Sequence, residues 1–223
     1  MTLPATSRAA GRPPRLSRQA LIERAIAILE EEGIEALTMR RLARDLESSP
    51  MALYGHVRDK DELLVAVLDH RAAGLPRLAL PDDPRERLLA LYGLLFEKLS
   101  EQPWIVPILM KGDLSAPSIF RTVDAILGSF TAAGLPPERA AAAYHVAWRY
   151  TVGEISVRQA SRERRAAIAR EPLITTLQRG AEPTELPHLA ALHEAMATAR
   201  ERLEYQVGLA AVIDGLLAWR DPS

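Results

Sequence analysis

Apolar residues recur at intervals of three and four along almost the whole of this 223-residue chain, and this spacing constrains the fold more than any other feature. The first segment illustrates it, because Leu21, Ile22, Ala25, Ile26 and Leu29 would line one face of a helix. Strict alternation of apolar and polar residues, the pattern of a half-buried strand, is missing. We therefore predict an all-α fold, and the length is ample for a real hydrophobic core.

Turn and linker signals divide the chain into three regions. Residues 1–16 contain several arginines and prolines and no apolar segment, which is typical of a flexible basic arm. Residues 17–73 show a close succession of short helical segments. Residues 74–223 begin with a proline-containing linker and continue as a larger helical domain, in which prolines and a glycine over 170–187 predict a long loop.

Several classes of protein are disfavoured by composition and missing motifs. The chain has no cysteine, which excludes disulfides, cysteine-bound zinc and a cysteine nucleophile. The sequence has no apolar run long enough to span a bilayer and no signal peptide, so we expect a soluble, cytoplasmic protein without a membrane partner. The common nucleotide-binding, hydrolase and metalloprotease motifs are missing. His188 and His193 lie about 140° apart around a helix and are poor joint metal ligands. We predict no catalytic residue, no metal, no cofactor and no enzymatic activity.

Helix caps define a three-helix unit near the N-terminus, followed by a fourth helix. The expected N-caps are Ser17, Thr38, Ser49 with Pro50 at the first helical position, and Asp59 in a capping box with Glu62, while Gly33 ends the first helix. Two short helices, over about 39–46 and 50–56, are separated by a turn of about three residues, which is the geometry of a helix-turn-helix. The spacing alone leaves open a packed helical subdomain with no role in DNA binding.

The residues of this segment are more informative than their spacing. The runs LTMRRLARDL over 37–46, SPMALYGHV over 49–57 and DKDELL over 59–64 resemble the DNA-binding domain of the TetR/AcrR, or tetracycline-repressor-like, regulators. The resemblance covers about 17–68, and the remainder is compatible with the family in length and helical content. Two departures stand out. Glu47 occupies a turn position that is usually glycine, so we expect it to adopt a left-handed conformation, and Gly55 replaces a larger side chain.

The resemblance implies a ligand-responsive, DNA-binding transcriptional regulator, most commonly a homodimeric repressor. Such a dimer would bind a palindromic operator in double-stranded DNA and be released by a small-molecule effector, whose identity the sequence does not reveal. The alternative is a helical interaction or small-molecule-binding protein without sequence-specific DNA binding.

The predicted DNA contacts follow from helix geometry together with the resemblance. Thr38 would present a hydroxyl and a backbone N–H to a phosphate, and Arg40 would reach a base edge. Arg41 is a weaker phosphate candidate, and Ala52 would meet a thymine methyl. Tyr54 and His56 match phosphate-contacting positions of the family, and Lys60 opens the next helix. The complete set is Thr38, Arg40, Arg41, Ser48, Ser49, Pro50, Ala52, Tyr54, Gly55, His56 and Lys60.

Net charge does not by itself support this interpretation. Residues 1–70 carry 10 basic and 11 acidic side chains, and the whole chain has a formal net charge of −1. Attraction to phosphates must therefore depend on where the basic groups are placed, and we expect modest non-specific affinity for DNA.

Ionisable and aromatic residues interrupt an apolar helix in the C-terminal domain. His145, Trp148 and Arg149 share one helical face, and Glu154 follows them. Polar groups that converge among apolar walls are typical of a small-molecule pocket, although such residues also occur simply as core. The predicted effector site consists of these four residues and of the possible wall residues Tyr92, Phe96, Trp104 and Met110.

The last helix carries two apolar stripes whose centres lie roughly 140° apart. One stripe runs through Leu203, Val207, Ala210, Ile213 and Leu217 and would face the domain's own core. The other would then face a second copy of the chain. It gives the predicted dimer interface, which is Tyr205, Leu209, Val212, Leu216 and Trp219. Burial of both stripes within one subunit is the alternative.

Overall fold

The structure is a computed structural model that describes residues 16–111, 114–167, 180 and 184–219. The predicted basic arm, except for its last residue, and most of the predicted loop over 170–187 lie outside these residues. The described chain is helical and contains no strand, so the all-α prediction is confirmed. The α-helices are α1 Arg18–Glu32, α2 Met39–Asp45, α3 Pro50–Leu53, α4 Lys60–Ala73, α5 Pro84–Glu101, α6 Ile105–Leu109, α7 Phe120–Ala132, α8 Pro137–Ala167, α9 Pro187–Arg202 and α10 Tyr205–Leu217.

The four predicted N-caps open α1 to α4. In each, the capping side chain accepts a hydrogen bond from the amide three residues on, at 3.1 Å for Ser17, 3.1 Å for Thr38, 3.2 Å for Ser49 and 2.7 Å for Asp59. Glu62 does not complete its capping box, because its carboxylate accepts from the Arg58 amide at 2.7 Å instead. Gly33 ends α1 with a φ of 81°, which glycine adopts without steric cost.

The turn from α2 to α3 is closed by a Schellman motif with a glutamate in the place of the usual glycine. The Ser48 amide donates to the Ala43 carbonyl at 2.9 Å, and the Glu47 amide donates to the Arg44 carbonyl at 3.1 Å. Glu47 has a φ of 48°, so the left-handed conformation expected from the sequence is confirmed. Because its Cβ crowds the backbone there, the turn is strained.

Helix α3 is shorter than the predicted segment 50–56. It ends at Leu53, and the Gly55 and His56 amides then bond three residues back, to Ala52 and Leu53, at 3.3 and 2.9 Å. This tight final turn is consistent with the low helix propensity of Gly55, about 1 kcal/mol worse than alanine.

The chain divides into two compact units. The first contains the described residues up to Gly74 together with Ile108–Ser118. In it α1 packs against α2 and α4, around a core that includes Leu21, Ala25, Leu42, Leu53, Leu63, Leu64 and Val67. The Ser118 amide donates to Asp69 Oδ1 of α4 at 2.8 Å, which ties the 108–118 segment to this unit. The predicted domain boundary at 73/74 assigned residues 108–118 to the C-terminal domain, whereas they belong to the N-terminal unit.

The second unit contains Leu75–Pro107 and the described residues from Ile119 onward. Helices α5, α7, α8 and α10 pack around one core. This core includes Leu88, Tyr92, Leu95, Ile126, Phe130, Tyr205, Leu209, Ile213 and Leu216. Within the described residues no helix combines the length and the apolar character needed to cross a bilayer.

The last predicted helix, whose first stripe residue is Leu203, is observed as α10 and begins two residues later, at Tyr205. Leu203 and Glu204 are extended, with ψ values of 109° and 140°, and Arg158 Nη2 donates to the Leu203 carbonyl at 2.9 Å. Residues of both predicted stripes lie in the same core, namely Ile213 and Leu217 of the first and Tyr205, Leu209 and Leu216 of the second.

Most of the predicted dimer interface is buried within its own subunit, as the alternative stated above has it. Tyr205, Leu209 and Leu216 are at most 3% exposed in their own subunit, and Val212 packs against the same core. Only Trp219, which is 42% exposed, remains at the surface.

Candidate DNA-binding surface and effector site

Helix α3 presents an exposed face in the N-terminal unit. Leu53 and Val57 point into the core and are 0% and 2% exposed. The predicted residues Ser49, Pro50, Ala52, Tyr54 and Gly55 are exposed, while Ser48 and His56 are half-buried. Met51 was not predicted, although the periodicity that turns Leu53 inward also turns Met51 outward.

The start of α2 adds a cationic group beside a helix N-terminus. Thr38 Oγ1 accepts from the Arg41 amide at 3.1 Å, and its hydroxyl hydrogen can still be donated to a phosphate. Arg40 is exposed and forms no ion pair with any residue that the structure describes. The geometry therefore leaves the Arg40 guanidinium available to a base edge or a phosphate.

Arg41 is committed to carboxylates of its own unit. Its Nη2 donates to Glu32 Oε1 at 2.6 Å and its Nε to Asp45 Oδ2 at 3.0 Å, while Arg24 Nη2 reaches the same Asp45 oxygen at 2.7 Å. Hydrogen bonds from Arg24 and then Arg41 lower the pKa of Asp45 to about 2. Bonds to Glu32 and then Asp45 raise the pKa of Arg41 above its ordinary value. The predicted phosphate role of Arg41 is therefore replaced by a structural one, joining α1 to α2.

Lys60 also has an internal partner. Its Nζ donates to the Ile34 carbonyl at 3.2 Å, which links the start of α4 to the short 3-10 turn Ile34–Ala36. The Lys60 side chain is half-buried. A phosphate could bind only the ammonium hydrogens that are not donated to the Ile34 carbonyl.

Three aromatic rings stack in the C-terminal unit. The Tyr205 ring lies 3.8 Å from that of Phe96 and 5.7 Å from that of Tyr150, with interplanar angles of 5° and 14°. The Arg158 guanidinium lies 5.6 Å from the centre of the Phe96 ring, within the range of a cation–π contact. Arg158 also pairs with Glu154 at 2.7 Å. We call Phe96, Tyr150, Tyr205 and Arg158 the aromatic cluster.

Hydroxyl groups connect this cluster to the core. Tyr205 Oη lies 2.8 Å from Thr151 Oγ1, and Tyr92 Oη donates to the Tyr144 carbonyl at 3.0 Å. Burial raises the pKa of Tyr92 and of Tyr205 well above the ordinary value for a phenol. Both hydroxyls therefore stay protonated at neutral pH and can donate a hydrogen bond.

The predicted effector residues separate into distinct places. Tyr92, Phe96 and Trp148 belong to the core or pack against it, and Glu154 lies at the edge of the aromatic cluster. Trp104 is half-buried beside α6.

Three other predicted residues do not line the interior of the C-terminal unit. His145 and Arg149 are exposed on the outer side of α8. Met110 is 66% exposed and belongs to the N-terminal unit.

Prediction from sequence missed Tyr150, Thr151 and Arg158. The available signal was the spacing of Tyr150, Glu154 and Arg158 at intervals of four, which places them on one stripe of α8. The sequence reading selected the neighbouring stripe through His145 and Arg149 instead.

An exposed apolar face remains on α8 and α10. Val157 and Val207 are 64% and 61% exposed, and Val146 is 39% exposed. Small residues on the same helical faces are also exposed, namely Ala142 and Gly153 on α8 and Ala211 and Gly215 on α10. Small side chains allow helices to approach closely, and α8 and α10 pack against each other within the subunit.

Comparison with known proteins identifies the family. Residues 78–220 match the family model described as tetracyclin repressor-like, C-terminal domain, and residues 21–67 match that of the bacterial regulatory proteins, tetR family. The chain belongs to the TetR family. It is therefore a transcriptional regulator with an N-terminal helix-turn-helix domain and a C-terminal ligand-binding domain.

Individual TetR-family relatives agree with this assignment over most of the chain. An HTH-type transcriptional regulator of Saccharopolyspora erythraea is 27% identical over 179 residues, which are 79% of this chain and 75% of that protein. ActR of Streptomyces coelicolor in complex with actinorhodin aligns at a TM-score of 0.77 with 25% identity, covering 91% of this chain and 97% of ActR. BioQ, solved with its natural double-stranded DNA operator, aligns at 0.61 with 24% identity, covering 92% and 99%.

Proposed function

We propose that this TetR-family chain is a homodimeric repressor that leaves its operator when a small-molecule effector binds the C-terminal unit. The observation that carries the DNA-binding half of this proposal is the exposed surface formed by α3 and Arg40. A helix-turn-helix places its second helix in the major groove, and α3 is the second helix here. In that position two N–H groups of the Arg40 guanidinium would donate hydrogen bonds to O6 and N7 of a guanine, while Thr38 would bind the neighbouring phosphate.

The proposed dimer uses the exposed apolar face of α8 and α10. A twofold axis beside these helices would bring Val157 and Val207 of one subunit against the same face of the other, in an isologous interface. Two copies of α3 would then address two half-sites about one helical turn, or a multiple of it, apart. This arrangement replaces the interface that the sequence analysis placed on Tyr205, Leu209 and Leu216.

The proposed effector site adjoins the aromatic cluster. Its near-parallel rings favour a ligand with a flat unsaturated ring system. ActR, which has the same fold, was solved with actinorhodin, and this supports a small-molecule site in the C-terminal unit.

The proposed coupling route runs along the chain through α6 and the 108–118 segment. Helix α6 begins in the C-terminal unit and ends in the N-terminal one. The segment that follows it is bonded to α4 through Asp69 and Ser118. An effector that binds one conformation of the C-terminal unit more tightly than another would act on α4 through this segment of the chain.

Operator binding by an Arg40→Ala variant tests the DNA-binding half. Loss of a bidentate base contact should cost about 1–3 kcal/mol on the selected operator and relax the preference at one base pair in each half-site. Arg44→Ala is the matched control, because Arg44 lies on the same helix but pairs with Asp45 at 3.4 Å. It should change affinity little and leave base preference intact. An equal loss of affinity by Arg40→Ala on operator and on random DNA would reject base reading by Arg40.

A further inference from the structure

Met51 is the most exposed large apolar side chain in the part of the chain that the structure describes. Its exposed fraction is 79%, and it lies at the second residue of α3. Met51 is not part of the hydrophobic core and does not cap a helix. A flexible thioether held in water at the centre of a DNA-facing helix is therefore available for contact with a partner.

The neighbours of Met51 leave it projecting. Leu53 and Val57 are buried, whereas Met51, Ala52 and Gly55 are exposed and form the outer face of this segment. Gly55 has no side chain, and alanine has a single methyl group. The thioether of Met51 is therefore the longest side chain near the centre of this face.

The same face is poor in hydrogen-bonding side chains. Pro50, Met51, Ala52 and Gly55 offer no side-chain donor or strong acceptor, and Ser49 Oγ accepts from the Ala52 amide, which leaves its hydroxyl hydrogen as the one side-chain donor among these five residues. Adenine is normally read by asparagine or glutamine and guanine by arginine or lysine, and α3 carries none of these. In the major groove the one strongly apolar feature of a base pair is the C5-methyl group of thymine. The exposed face of α3 and the thymine methyl group are both apolar and would favour contact with each other.

We propose that Met51 is a specificity-determining residue that reads a thymine methyl group in each half-site of the operator. Recognition at this position comes from removing the methyl and the thioether from water, and it needs no hydrogen bond to the base. The inference rests on the proposed function, because it requires α3 to enter the major groove. It extends that function to a residue and a base feature that can be tested separately.

The test uses the full chain and an operator selected by it from random duplex DNA. Each thymine is replaced in turn by deoxyuridine, in both half-sites at once, which removes only the methyl group. One buried methyl is worth about fourfold in affinity, so loss at both half-sites should weaken wild-type binding about 15-fold at the position that Met51 contacts. Met51→Ala should bind the unmodified operator about 15-fold more weakly, and deoxyuridine at that position should then have no further effect.

Two further variants separate this contact from other causes. Arg40→Ala should bind more weakly but keep the full response to deoxyuridine, because it touches a different base pair. Met51→Leu keeps an apolar side chain and should retain most of that response. The side chain is exposed, so these variants should melt like the wild type, which circular dichroism checks.

The outcomes distinguish this inference from the function beneath it. If no deoxyuridine substitution weakens wild-type binding by more than about twofold, or if Met51→Ala keeps the wild-type response, the role of Met51 is overturned while DNA binding stands. If the wild-type chain enriches no sequence at all, the proposed function fails and this inference fails with it.

Discussion

Replacing Glu47 by glycine should stabilise the N-terminal unit. A non-glycine residue at a φ of 48° carries a penalty of about 1–2 kcal/mol, because its Cβ crowds the backbone. Glycine also lowers the free energy of unfolding by about 0.4–1 kcal/mol, because it gives the unfolded chain more conformational freedom. The expected net gain is about 0.5–1 kcal/mol, since the two backbone hydrogen bonds of the Schellman motif remain in place.

Native-state hydrogen exchange on the full chain measures this gain. All three tryptophans, Trp104, Trp148 and Trp219, lie beyond the helix-turn-helix, so their fluorescence does not report on it directly. The amides of Leu46 and Ser48 bond to the Leu42 and Ala43 carbonyls at 3.0 and 2.9 Å. Their protection should rise about two- to fivefold if their exchange opens the strained turn.

Glu47→Ala is the matched control for that experiment. It removes the same carboxylate but keeps the Cβ, so protection should not rise. Equal stabilisation by alanine and glycine would mean that charge, and not backbone strain, governs this turn. A loss of protection in Glu47→Gly would refute the strain argument outright.

Three other predictions follow from the observed contacts. Val207→Glu should dissociate the proposed dimer, with the mass by light scattering falling by half, whereas Phe120→Glu, which replaces a residue 57% exposed on α7, should leave the mass unchanged. Asp45→Asn should destabilise the chain at neutral pH in urea titrations. The pKa of Asp45 is lowered to about 2 in the folded state, so the ionised carboxylate stabilises the fold at pH values above its pKa in the unfolded chain. The difference in unfolding free energy between wild type and variant should therefore shrink as the pH falls from about 5 to about 2. A difference that does not change with pH would contradict the ion pairs assigned to Asp45. Asp69→Ala should speed exchange of the Ser118 amide, whereas Asp69→Asn keeps an oxygen acceptor and should preserve its protection; unchanged exchange in the alanine variant would exclude that hydrogen bond.

Features that depend on residues close together in the sequence were predicted best. The caps at Ser17, Thr38, Ser49 and Asp59 were correct because each is a bond between residues three apart. The left-handed turn at Glu47 followed from a departure within a recognised motif. Local chemistry determines these features almost completely.

Features that depend on packing were predicted less well. The stripe assigned to the dimer interface was apolar, but Leu209 and Leu216 belong to the core of their own subunit because their helix packs on α5 and α8. Periodicity identified apolar faces on this helix but did not reveal which face its own subunit covers.

The candidate effector site shows the same limit. Periodicity placed His145 and Arg149 on one face of α8, yet both are exposed, and the aromatic cluster instead contains Tyr150 and Arg158, which are half-buried. The choice between adjacent stripes depends on how α8 packs on α5 and α10, which no local pattern encodes. Arg41 is similar, because its partner Glu32 lies on another helix.

Selection of bound sequences from random duplex DNA tests the central claim most directly. The full chain should enrich an inverted repeat whose half-site centres lie about 10 base pairs, or a multiple of that, apart, with two copies of the chain on each duplex. Enrichment of no sequence, or of a single asymmetric site occupied by one copy, would contradict the conclusion that this TetR-family chain reads a palindromic operator as a dimer.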